Sequence, residues 1–177
     1  MSPALFARRL VVALCMTLPA ACTADTATAP STTPASQPST AAATQVTGAP
    51  FPVDFATTEM TLKNKKFAME IAGKEAQRER GLMYRDTMPA DHGMLFIMDT
   101  FEKTAFWMEN TRIPLDLVFL DQSGKVVDIL HGKPFDRTPI GPNAPVRYVI
   151  ELNDGMSEKI GLKKGDLIKI PAVYVKN

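Results

Sequence analysis

Leu115-Asp-Leu-Val-Phe-Leu-Asp-Gln-Ser-Gly-Lys-Val-Val-Asp-Ile-Leu-His131 reads as two strands and the turn between them. From Leu115 to Leu120 every residue except Asp116 is apolar, the composition of a strand covered on both faces. Val126 to His131 follows after Gln122-Ser-Gly-Lys125, a spacing that predicts a hairpin with Gly124 at positive φ. Alternation places Asp116 on one face with Val118 and Leu120, and Leu115, Leu117 and Phe119 on the other. An acid enclosed in this way has to be paired or hydrogen-bonded.

Outward from the hairpin the chain stays rich in strands. Met60-Thr-Leu62 and Phe67-Ala-Met-Glu-Ile71 read as two opening strands, and Met94-Leu-Phe-Ile-Met98 as one buried on both faces. Ala105-Phe-Trp-Met108 reads as a further short strand, and Arg147 to Asn153 alternates. Leu167-Ile-Lys-Ile170 reads as the closing strand after a Lys-Gly-Asp turn. Two short helices interrupt this order. Lys74 to Arg80 is stopped by Gly81, and a brief helix with Asp154 as its N-cap buries Met156 and Ile160. The expectation is an α+β fold: a single compact domain with a curled or barrel-like, mostly antiparallel sheet and two short helices.

The first fifty residues have another character. Arg8 and Arg9 precede an apolar run from Leu10 to Leu18, and Pro-Ala-Ala-Cys22 follows. That run suits the roughly 7–15 residues of a signal-peptide core and falls short of the roughly 20 that cross a bilayer. Its end resembles the signal of bacterial lipoproteins, which would make 1–21 a signal peptide and Cys22 the acylated residue. The other reading is a secreted protein cut nearby, for instance after Ala24, with no lipid. Cys15 would leave with the signal, so the mature chain would keep one cysteine, which cannot form an internal disulfide. Residues 22–50, of Thr, Ala, Pro and Ser with Asp25 as their only charge, read as a disordered stalk. A chain of that length spans roughly 30 Å, about one diameter of the domain at 51–177. The expected place is the bacterial cell envelope, on its periplasmic side, with the membrane as partner through a lipid on Cys22.

Charge narrows the partners further. The chain has 20 Lys+Arg and 19 Asp+Glu, and Arg8, Arg9 and Asp25 precede the domain, which is therefore neutral. No basic stripe offers itself to nucleic acid, which is not expected as a partner.

Phe106-Trp-Met-Glu-Asn-Thr-Arg-Ile-Pro-Leu-Asp116 sets the only tryptophan beside a polar loop and ends on the enclosed acid. Arg80, four residues after Ala76 and three before Met83, falls on the apolar stripe of the first helix, where an arginine needs an acid. Asp116 is the preferred partner. Such a pair is either architectural or part of a pocket formed by Arg80, Asn110 and Asp116 with Trp107 as its apolar wall. Between His131 and Arg147 a loop holds Pro134, Pro139, Pro142 and Pro145, which suits a fixed rim or a plain surface connection. Met83, Met88, Met94, Met98 and Met108, with His92, suggest Cu(I) by ligand type, but methionine in apolar strands fills gaps, and no metal or cofactor is expected.

Taken with these segments, Glu79-Arg-Gly-Leu-Met83, Gly93-Met-Leu-Phe96, Arg147-Tyr-Val-Ile-Glu-Leu152 and Gly161-Leu-Lys-Lys-Gly-Asp166 resemble the domain of unknown function 192 family, also called the UPF0127 group. The resemblance runs from about residue 60 to 171. It implies a compact, mostly β domain, often exported, and no agreed activity, substrate or cofactor. Arg80, Trp107, Asn110 and Asp116 match the family's motif without an established role. The expected function is an exported, lipid-anchored module binding a small polar or anionic ligand, or an envelope protein, through these four residues. The alternative is an enzyme acting on cell-wall or small polar substrates, with Asp116 or Glu109 as acid/base. The sequence has no HExxH, no Ser-His-Asp order and no paired cysteine nucleophile to favour it.

Overall fold

The computed structural model describes residues 52–175; the signal-like segment, Cys22 and the stalk lie outside the described residues. One six-stranded sheet organises the domain. Its strands are β1 (Ala56–Leu62), β2 (Lys65–Ala72), β3 (His92–Glu102), β4 (Leu115–Leu120), β5 (Val126–Gly132) and β6 (Val146–Asn153). Their spatial order is β1-β2-β3-β6-β4-β5. Only β2 and β3 run parallel, and the other neighbours are antiparallel. β1 and β5 form the two edges, so the sheet is curled but not closed. Helix α1 (Glu75–Arg80) lies between β2 and β3, and α2 (Met156–Lys159) follows β6. This is the expected α+β class.

β6 is buried from Val146 to Leu152, and β4 is buried along its whole length. One face packs Met60, Phe67, Val118, Leu120, Tyr148, Ile150 and Leu152 under Met156 and Leu162 of the α2 region. The opposite face packs Phe96, Leu117, Phe119 and Val149 under Leu82, Met88 and Met108. α1 runs into that second layer through Gly81 and Leu82. The sheet therefore separates α1 from α2, and this decides which polar residues can meet.

The central hairpin forms as its sequence requires. Gly124 has φ +84, and a Cβ there would lie 2.3 Å from the Ile168 carbonyl oxygen. Asp121 accepts N–H bonds from Ser123 (2.8 Å) and Lys125 (3.0 Å), which closes the turn.

Three local expectations are corrected. Ala105–Met108 is not a strand; Phe106 alone makes a bridge, to Ile140 of the proline-bearing loop, which supplies no longer partner to pair along. The 167–170 segment is likewise a single bridge, from Leu167 to Lys125, bound to the hairpin turn. Asp154 is not the cap of α2. Gly155, in a left-handed conformation, occupies that position, and the first turn is satisfied from β4.

Candidate functional site

Asp116 is fully buried, as its strand implies, but its partners differ from those expected. Its Oδ2 accepts the Ser157 N–H at 2.7 Å, and its Oδ1 accepts the Gly155 N–H at 3.1 Å. The cross-strand neighbour His131 brings Nδ1 to 2.8 Å from Oδ1. Arg80 lies on the other side of the sheet, with its guanidinium 5.2 Å over the Tyr84 ring. The expected Arg80–Asp116 pair is therefore absent: α1 and the face carrying Asp116 are separated by the strand itself. Asp116 serves as a remote cap for the start of α2.

Beside it stands a mixed cluster. Asp154 Oδ1 lies 3.3 Å from His131 Nδ1, and the ligand atoms of Asp116, His131 and Asp154 all fall within 4.8 Å of one another. That set has the donor types of a divalent-cation site, with one buried and two exposed members.

On the opposite face, α1 and the chain after it form one wall of a cavity of about 480 Å3. Arg78, Arg80, Leu82 and Met83 line that wall, Phe96 and Met98 of β3 the base, and Thr104 to Trp107 the far side. The volume falls within the usual range of small-molecule sites. Gly81 shapes it: φ is +45, and a Cβ would come 3.2 Å from the Phe96 ring. Phe106 stacks edge-on between Phe96 (5.0 Å) and Phe119 (6.0 Å). Its neighbour Trp107 is thereby turned outward, 57 % exposed, at the cavity wall.

The proline-bearing loop fixes this far wall. Phe106 and Ile140 exchange both backbone hydrogen bonds at 2.7 and 2.8 Å, Met108 N–H donates to Asp136, and Phe135 N–H donates to the Thr111 carbonyl. The loop is thus a clamp on the Trp107 segment.

Of the four expected site residues, Arg80 and Trp107 share the cavity. Asn110 adjoins it through its backbone: φ is +55, and its carbonyl accepts the Tyr84 N–H at 2.9 Å. Asp116 is across the sheet. Glu109, the other acid considered for catalysis, is held by Arg137 at 2.6 Å.

One residue that the sequence reading passed over is Glu151. It projects from β6 into the cavity with 5 % of its surface exposed. Burial pushes its pKa up to about 8, against a smaller downward pull from Arg85. Arg85 is itself occupied by a bidentate pair with Glu70, at 2.6 and 2.7 Å. The cavity therefore has a carboxyl that keeps its proton well above the usual carboxylate range. The signal in the sequence was weak: Glu151 shares its strand face with Arg147, Val149 and Asn153, and its burial comes from the sheet position of β6.

The pattern of the DUF192 family, described as an uncharacterized ACR, matches residues 56–170. Two solved structures are similar. One is a protein of unknown function from Novosphingobium aromaticivorans DSM 12444, 31 % identical, with a TM-score of 0.60, covering 66 % of this chain and 85 % of that one. The other is from Sinorhizobium meliloti 1021 and is described as a proposed transcription regulator. It is 34 % identical, with a TM-score of 0.61, and the match covers 67 % of this chain and 97 % of that one. None of the curated proteins matches.

Proposed function

The chain belongs to the DUF192 family, and from that premise we propose that it is an exported binding module, tethered in the bacterial envelope by a lipid on Cys22, that takes a small polar ligand beneath Trp107. The family brings no activity with it, so the reading rests on the site. One observation carries it: a cavity of small-molecule size whose aromatic and aliphatic walls surround the carboxyl-bearing side chain of Glu151. A ligand that fills the cavity removes its apolar lining from water and offers the Glu151 carboxyl a hydrogen-bond partner. The pocket reading of the sequence is kept in revised form, with Arg80 and Trp107 as members and Glu151 in the place given to Asp116. Export and tethering are supported by the basic–apolar–small–Cys22 order and the stalk that follows.

Mass spectrometry of the protein purified from membranes tests the binding reading. A discrete small molecule should be released on denaturation, and its yield should fall at least about tenfold in Trp107→Ala, whose indole is exposed and not part of the core. Equal yields from both proteins, or no released compound, would contradict it.

A further inference from the structure

We propose that Asp116, His131 and Asp154 bind a divalent first-row metal ion of the Zn2+ class, at a site separate from the cavity and on the α2 side of the sheet. Three neighbouring segments bring the donors together. β4 pairs with β5 so that Asp116 faces His131, and Asp154 leaves the end of β6, where Asn153 is paired with Leu115. His131 Nδ1 lies 2.8 Å from Asp116 Oδ1 and 3.3 Å from Asp154 Oδ1, and one donor atom from each residue falls within 4.8 Å of the others. Ligands about 2.1 Å from a four- or six-coordinate zinc ion are themselves about 3.0–3.4 Å apart. Two of the distances are already close to that spacing, and the exposed Asp154 side chain has the freedom to close the third.

The Asp116 carboxylate is held as a metal ligand's is. It is fully buried, and the N–H groups of Gly155 and Ser157 fix its orientation. A carboxylate offers about four lone-pair sites, so these two bonds leave it able to take a cation. Charge asks for one: the imidazole that both acids share carries at most one positive charge against two carboxylates. Ser157 adds an independent observation. It is 3 % exposed, and its Oγ is buried without a hydrogen-bond partner among the described residues. Its N–H lies 2.7 Å from Asp116 Oδ2, so covalent geometry keeps the hydroxyl within roughly 6.5 Å of that oxygen. A water on the metal gives this hydroxyl the partner it lacks. The donor types choose the ion. One imidazole nitrogen with carboxylate oxygens suits Zn2+, whereas Mg2+ keeps to oxygen ligands. Three protein ligands leave a position open for that water, and the bound ion ties β4, β5 and the start of α2 together.

Calorimetry on the metal-stripped full-length protein tests the site, with ZnCl2 as the probe. Zinc should bind saturably, and Tm should rise with its concentration. MgCl2 should bind at least about tenfold more weakly. Asp116 also holds α2, so the variants are taken at the two exposed ligands. His131→Ala and Asp154→Ala should each weaken zinc binding at least about a hundredfold, since changes outside the ligand shell already cost roughly 10–100-fold. Both should lose the zinc-dependent rise in Tm while melting close to the natural protein without metal, which a merely structural role would not produce. The chain has two histidines, and His92→Ala should leave the zinc affinity unchanged. No zinc binding, or binding equally tight in either ligand variant and the natural protein, overturns the inference. So does a loss confined to His92→Ala, or tighter binding of Mg2+ than of Zn2+. None of these results bears on the cavity beneath Trp107.

Discussion

Glu151 ties stability to pH in a direction opposite to that of a surface acid. Its folded pKa, about 8, is above its ordinary value of 4.5, so between those limits the folded chain holds a proton that the unfolded chain has released. Stability therefore falls as pH rises through that window and is unaffected below it. Glu151→Gln removes the titration. In urea unfolding the variant should gain on the order of 4 kcal/mol near pH 9 and close to nothing near pH 4. An equal gain at both values would contradict the assignment. That Asp116 is enclosed could be read from its strand; what encloses it could not. Its partners are the backbone N–H groups of Gly155 and Ser157, which have no residue-type signature, and a histidine fixed by strand register. The apolar stripe expected to carry Arg80 does not form: Ala76 is exposed and α1 has no buried residue, and Arg80 lies on the other layer of the domain.

Among the elements, the bond between β4 and α2 is the one most open to attack. α2 has four residues and no side-chain cap of its own, so its first turn depends on the carboxylate of Asp116. Asp116→Ala leaves two N–H groups without an acceptor and should cost about 2–4 kcal/mol in thermal or chemical unfolding. His131→Ala touches the exposed side of the same group and should cost less than about 1 kcal/mol. Similar losses from both would show that the histidine, and not the cap, holds this corner. The elements that could be read from sequence were those with local causes: the hairpin around Gly124, and α1 ended by Gly81; β6 was read as a strand, but its expected alternation gives way to burial at every residue from Val146 to Leu152. Ala105–Met108 and Leu167–Ile170 have strand composition but lack a neighbour to pair along, which only the sheet order supplies. The parallel β2–β3 pairing is likewise long-range and leaves no trace in periodicity.

For the molecule as a whole, the two layers have separate tasks. The layer with α2 is closed by a buried cap, and the layer with α1 is left open over Glu151 and walled by a clamped tryptophan segment. Cys22→Ser should move the protein from the membrane fraction to the soluble one, and unchanged membrane association would contradict the lipid anchor. The central claim is that the small molecule occupies the side of the sheet beneath Trp107. Amide and indole NMR shifts on adding back the small molecule released from the membrane-purified protein measure this directly. The account predicts changes at the Trp107 indole, Gly81, Phe96 and Glu151, with none at His131, Gly155 or Ser157. Shifts confined to that second group would contradict it.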